Sequence, residues 1–309
     1  MIKTIVSTAL PVEERLLIRK NVLTNGTGKG RLCIVTGTHG DELEGQLCCY
    51  EVARIINDNL DKLNGTVEIY PALNPLGIDT LQRGIPNFDL DMNRIFPGST
   101  EGSMAEQAAH AIVEDLKGAD LVIDIHSSNL YLRETPQVRI NVNDKERLVP
   151  LAQKLNVDFI WVHGAATVLE ATLAHSLNST GTPCLVEEMG VGMRINHGMC
   201  QQLVKGIFNL MHELGIWTEP IDQTDFHKAL ICEGDTVCFL NAEASGVFLT
   251  SMHTGEIVEA GQEIGKIVNP LTGTILQHVV APERGFLFTI RAYPIVYVGS
   301  LMARIFKDI

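Results

Sequence analysis

Residues 31–42 read RLCIVTGTHGDE, and the fold follows from how this stretch is read. Arg31 to Thr38 is a short apolar run closing in Gly and Thr, the pattern of a buried strand. Asp41 to Leu60 then places Leu43, Leu47, Tyr50, Val52, Ile55 and Ile56 at roughly helical spacing. Working outward, Thr66 to Leu73 reads as a second strand closed by Asn74-Pro75. Met104 to Leu116 reads as a helix, with Ser103 as N-cap and Glu106 at the third helical position. Asp120 to Ile125 and Thr182 to Val186 are further strands. Gly198 to Leu214 is a helix that stops at Gly215. Strands alternating with helices predict an α/β region with a mostly parallel or mixed sheet.

The texture changes after Trp217. TEPIDQT reads as a connector, and from Ala229 the segments are short, β-rich and punctuated by glycine. Gly246-Val-Phe, Gly261 and Ile267 are echoed about 39 residues later by Gly285-Phe-Leu, Gly299 and Ile305. A duplicated unit of this size predicts a small all-β barrel or sandwich. The expected organisation is a catalytic unit over 1–220 and a C-terminal β unit over 221–309.

Composition removes whole classes of function. Of 309 residues, 45% are hydrophobic and 20% charged, which suits a packed core rather than disorder. The net charge of −13 repels phosphate backbones and argues against a nucleic-acid partner. No apolar run approaches the roughly 20 residues of a membrane span. Pro11, Glu13 and Glu14 interrupt the N-terminus before a signal-peptide core can form. The seven cysteines are odd in number and show no C-x-x-C spacing, so reduced thiols in the cytoplasm are expected.

Four short motifs carry chemistry. HGDE at 39–42 sits where a strand turns into a helix, so His39 and Glu42 can close on one metal ion. His126 ends the strand LVIDIH, and two strand ends of one sheet lie side by side in space. Two histidines and one glutamate form the ligand set of an open catalytic zinc site. Asp124, two residues earlier on the same strand face, can accept a hydrogen bond from a ligand histidine. In DMNR at 91–94, Asn93 and Arg94 suit a carboxylate, because a guanidinium fork matches its two oxygens. Arg83 is a second cation, placed to meet a developing oxyanion. VEEMG at 186–190 ends a strand with two glutamates that face opposite ways, and one of them can act as general base.

HGDE, DMNR followed by FPG, DIHS and VEEMG occur in the order found in the succinylglutamate desuccinylase/aspartoacylase family, and the chain resembles that family over most of its length. The stretch from HGDE to DIHS resembles most the branch that includes N-acetyl-diaminobutyrate deacetylases. The resemblance implies a zinc-carboxypeptidase-like mixed-sheet catalytic domain with a smaller C-terminal β domain. It implies one Zn2+ per chain on His39, Glu42 and His126, substrate carboxylate binding by Asn93 and Arg94, and catalysis by Glu188. Glu187 stands where the family usually has an apolar residue. The family's additional arginine corresponds to no clear position, and Tyr293 and Tyr297 are candidates for a C-terminal tyrosine. His110, His163, His175 and His197 are given no catalytic part.

The C-terminal repeat resembles a biotinyl or lipoyl barrel, yet Ala244 to Gly265 contains no lysine to carry a cofactor. Its expected role is to shape the cleft or an oligomer interface. The expected activity is zinc-dependent hydrolysis of a small N-acyl amino acid, with a homo-oligomer as a further expectation. A carboxypeptidase acting on short peptides and a non-catalytic ligand-binding protein are the alternatives. A C-terminal region closing over the cleft would exclude peptides.

Overall fold

The computed structural model describes residues 1–86, 88, 90–164 and 170–309. The strands are β1 (Ile2–Ala9), β2 (Arg15–Asn25), β3 (Arg31–Thr36), β4 (Gly65–Tyr70), β5 (Leu121–Ser127), β6 (Leu132–Asn141), β7 (Phe159–His163) and β8 (Cys184–Gly190). Nine shorter strands follow: β9 (Leu230–Glu233), β10 (Val237–Asn241), β11 (Gly246–Leu249), β12 (Glu256–Val258), β13 (Glu263–Asn269), β14 (Thr274–Val280), β15 (Gly285–Arg291), β16 (Ile295–Val296) and β17 (Leu301–Phe306). The helices are α1 (Glu44–Asp58), α2 (Pro75–Thr80), α3 (Met104–Leu116), α4 (Lys145–Ala152), α5 (Leu173–Ser179) and α6 (His197–Glu213).

A 13-stranded mixed sheet organises the molecule, with the path β1-β2-β4-β3-β5-β8-β6-β15-β17-β10. Its central strands β4, β3, β5 and β8 run parallel, while β2 and β6 flank them antiparallel. All seven residues of β5 are buried, as expected for a parallel strand covered on both faces. Alternation splits its apolar residues. Leu121, Ile123 and Ile125 join the core under α1 and α6, and Val122 joins the core under α3 and α5. The helix at 104–116 begins as expected, with a complete capping box between Ser103 and Glu106.

Two differences from the sequence reading bear on the site. Helix α1 begins at Glu44 rather than Asp41, so His39 and Glu42 stand on the turn between β3 and α1. Strands β6 and β7 escaped the reading. Pro136 interrupts LRETPQVRIN, and a proline within a run argues against a central strand. The structure resolves this by a register shift in the β6–β8 pairing between Glu134 and Gln137.

The glycine-rich tail is all-β. Four of its strands form a separate antiparallel sheet in the order β14-β13-β11-β16. Others extend the large sheet: β15 pairs with β6, placing Thr289 opposite Glu134, and β9 pairs with β7. An aromatic cluster closes this seam, with Phe159 stacked on Phe288 at a centroid distance of 4.4 Å.

Helix α6 lies close against the loop after α4. A Cβ placed on Gly206 would meet the Leu155 carbonyl oxygen at 1.8 Å, and backbone cannot swing aside. Gly206→Ala is expected to destabilise the fold by about 1–3 kcal/mol, the usual range for overpacking. Urea denaturation of both proteins checks this, and an unchanged midpoint would show that α6 has room to move.

Candidate active site

His39, Glu42 and His126 meet at the carboxyl ends of β3 and β5. The β3–β5 register brings the two strand ends together. The HGDE turn is pressed against α2: a Cβ on Gly40 would lie 2.0 Å from the Gly77 carbonyl carbon, so only glycine permits this approach. One ligand atom from each of the three residues lies within 4.8 Å of the others, and all three are buried.

The contacts are directional. His39 Nδ1 is 2.7 Å from Glu42 Oε1, and His126 Nδ1 is 2.8 Å from Glu42 Oε2. The two Nδ1 atoms are 3.2 Å apart. On the far side of each ring stands a carboxylate. His39 Nε2 is 3.0 Å from Asp91 Oδ1, and His126 Nε2 is 3.2 Å from Asp124 Oδ2, although this second pair is not aligned as a hydrogen bond. Asp91, read from sequence only as the neighbour of Asn93 and Arg94, was the missed partner. It also caps the turn 92–94 by accepting from Asn93 N at 2.8 Å.

This donor set fits a divalent cation. An imidazole whose Nε2–H points at a carboxylate presents a lone pair at Nδ1. Two such lone pairs facing the oxygens of one carboxylate repel unless a cation, or a proton, lies among them. The same crowding perturbs the titration. Burial opposes the charged form of Glu42, but His39 and His126 override it and hold the carboxyl well below its ordinary range. Burial likewise opposes charge on both histidines, yet Glu42 with Asp91 raises His39, and Asp124 with Glu42 raises His126. Two histidines and a carboxylate are the ligand types of open zinc sites.

These three residues line a cavity of about 460 Å³, as do Arg83, Asn93, Arg94, Asp124 and Glu188. Arg83 Nη1 lies 2.9 Å from Glu42 Oε1, and Arg83 Nε lies 3.4 Å from Asp91 Oδ2. Asn93 Oδ1 accepts from Leu173 N at 3.0 Å, so this side chain also fixes the start of α5. Arg94 is exposed and donates to the Asn93 carbonyl at 2.7 Å. Tyr297 is 70% exposed and does not line the cavity. Tyr293 packs edge-on against Tyr131, which does, at 5.8 Å. Of the other histidines, His163 and His175 line the cavity, whereas His110 and His197 do not.

Strand alternation separates the two glutamates. Glu188 pairs in register with His126 and faces the cavity. Glu187 faces the α1/α6 core, fully buried, and neither of its oxygens has a hydrogen-bond partner among the described residues. Burial raises the pKa of both, and Arg139 partly offsets this at Glu188.

Residues 29–214 match the family described as "Succinylglutamate desuccinylase/Aspartoacylase catalytic domain". The chain belongs to this family. It is 23% identical over 286 residues to the N-alpha-acetyl-L-2,4-diaminobutyric acid deacetylase of Halomonas elongata, covering 89% of this chain and 82% of that one. The fold is shared with the product-bound ectoine utilization protein EutE (DoeB) from Ruegeria pomeroyi, at TM-score 0.82 and 21% identity, covering 98% and 93% of the two chains. It is shared also with a succinylglutamate desuccinylase/aspartoacylase from Rhodobacter sphaeroides, at TM-score 0.81 and 22% identity, covering 100% and 95%. Among the described residues, no helix is long and apolar enough to cross a membrane.

Glu187 yields a pH-dependent expectation. A carboxyl whose pKa is raised on folding binds more protons folded than unfolded, so stability falls as pH rises above the unfolded value of about 4.3. Glu187→Leu removes that loss. The variant is expected to gain about 1–3 kcal/mol over the parent at pH 8, and clearly less at pH 5. Denaturant melts at both pH values check this. An equal gain at both, or a loss at pH 8, would place an ionised, compensated carboxylate at this position.

Proposed function

We propose that this chain hydrolyses the amide bond of a small N-acyl amino acid with one zinc ion held by His39, Glu42 and His126. One observation carries the reading: a buried His-Glu-His cluster with mutually facing ligand atoms, at a cavity that also holds Glu188, Arg83 and Arg94. A cavity of about 460 Å³ falls within the usual small-molecule range. The deacetylase name of the Halomonas relative supports an acyl amide as the bond broken.

When bound, zinc polarises the acyl carbonyl and acidifies a water molecule. The remaining work falls to the chain's own side chains. Glu188 takes the proton of the attacking water and delivers it to the departing amine nitrogen. Arg83 stabilises charge developing on the acyl oxygen. Asn93 and Arg94 bind the carboxylate of the amino acid and align the amide. Asp91 holds the outer nitrogen of His39, and Asp124 stands beside that of His126, which favours the ring orientations the ligands need. Residues 1–220, as the catalytic unit, supply these groups, and Arg304 of the C-terminal unit 221–309 adds to the wall of the cavity.

The test sets the two glutamates against each other. Glu188→Gln is expected to lower kcat by about two to four orders of magnitude on a panel of N-acyl amino acids, with zinc content unchanged. Glu187→Gln should leave kcat nearly intact, because its side chain faces the other side of the sheet. The reverse pattern would make Glu187 the base. Unchanged activity in both would remove the glutamate-base mechanism.

A further inference from the structure

Three charged side chains of the cavity wall, Glu134, Arg139 and Arg304, have no part in the proposed steps. Glu134, on β6, is 1% exposed. Arg139 Nη2 donates to its Oε2 at 2.7 Å, and Arg304 Nη1 donates to its Oε1 at 2.6 Å. Thr289 Oγ1 donates to Oε1 as well, at 3.2 Å. Arg139 then reaches across the sheet with its other nitrogen: Nη1 lies 3.1 Å from Glu188 Oε1. The four charges balance, two carboxylates against two guanidiniums.

Chain topology makes this arrangement stiff. Arg139 sits opposite Val186 in the β6–β8 ladder, so it is diagonal to Glu188 on the same face. Thr289 and Arg304 come from β15 and β17, strands nearly at the C-terminus of the chain. The Trp161 ring receives both cations, with guanidinium carbons 6.0 Å away for Arg139 and 5.7 Å for Arg304. One nitrogen of Arg139 is therefore committed to a buried carboxylate, and its guanidinium carbon lies over an indole. A second nitrogen, Nη1, meets Glu188.

We infer that Arg139 is a positioning residue for Glu188, and that Glu134 and Arg304 anchor it, so that the C-terminal strands help to set the geometry of the reaction. A carboxylate free to rotate samples orientations that miss the water. A fork anchored at its other end restricts that rotation. This rests on the reading of Glu188 as general base, and it adds a residue that acts only through Glu188.

A double-mutant cycle with Glu188 separates this role from substrate binding. The variants are Arg139→Gln, Glu188→Gln and the pair together, on an N-acyl amino acid that the parent hydrolyses. Arg139→Gln alone is expected to lower kcat by about tenfold to a hundredfold, the scale of a misplaced catalytic group, with KM changed much less. In the Glu188→Gln background the same change should lower kcat little further. Calorimetric titration of that substrate into the Glu188→Gln protein should give the same affinity with and without Arg139→Gln. Zinc content and thermal midpoint are followed for every protein. If Arg139→Gln does not fold, Arg139→Lys keeps a cation without the fork and should show the kcat loss in smaller measure.

Three results overturn the inference. The first is a kcat for Arg139→Gln, or for Arg139→Lys where only that variant folds, equal to the parent's. The second is a full, independent loss in the Glu188→Gln background. The third is weaker substrate binding in the titration, which would make Arg139 a substrate contact. If Glu188→Gln by itself retains the parent's kcat, the base assignment falls first and the inference falls with it, an outcome distinct from the other three.

Discussion

The structure depends on keeping one carboxylate buried at the end of a parallel sheet. Glu42 is 3% exposed and lies between two imidazoles, with a guanidinium at its edge. An isolated carboxylate there would be strongly unfavourable, since burial disfavours charge unless partners compensate. That requirement fixes several features at once. The HGDE turn must close tightly, which Gly40 permits against the backbone of Gly77. β5 must run beside β3 in the register that delivers His126. Asp91 and Asp124 must stand behind the rings. A divalent cation bound by the same three side chains would relieve the crowding, so local stability and function share one cause.

A second constraint is the alternation of β8. Adjacent glutamates at 187 and 188 would be interchangeable on a loop. On a strand covered on both faces they occupy different environments: one lines the cavity beside Arg139, and the other lies in an apolar core with no hydrogen-bond partner among the described residues. The sheet then extends past β6 into strands from the end of the chain. The C-terminal region is thus bonded edge to edge to the strand that holds Glu134 and Arg139, rather than tethered by a flexible linker. Arg304 carries that continuity to the wall of the cavity.

Much of this was legible in the sequence. Apolar runs with Gly or Pro punctuation located β3, β4, β5 and β8, and the Ser103–Glu106 pair located the start of α3. The three ligand-type residues were legible because HGDE and DIHS occur together with DMNR and VEEMG in the family's order, each motif being weak alone. What escaped depends on pairing rather than pattern. Pro136 disguised β6, because a register shift that accommodates proline is invisible without the partner strand. Asp91 looked like part of a carboxylate-binding loop, since nothing in DMNR shows which way an aspartate turns. Glu134, Arg139 and Arg304 carry no local signal: 170 positions separate Glu134 from Arg304, and only the β6–β15–β17 order brings them together.

A zinc-edge anomalous difference map tests the His39–Glu42–His126 centre most directly. Crystals would be grown from protein purified without chelator. The expected result is a single strong peak, bonded to His39 Nδ1, a Glu42 oxygen and His126 Nδ1 at about 2.0–2.2 Å. A map with no peak at these residues after zinc is supplied, or with zinc held by other side chains, would contradict the account.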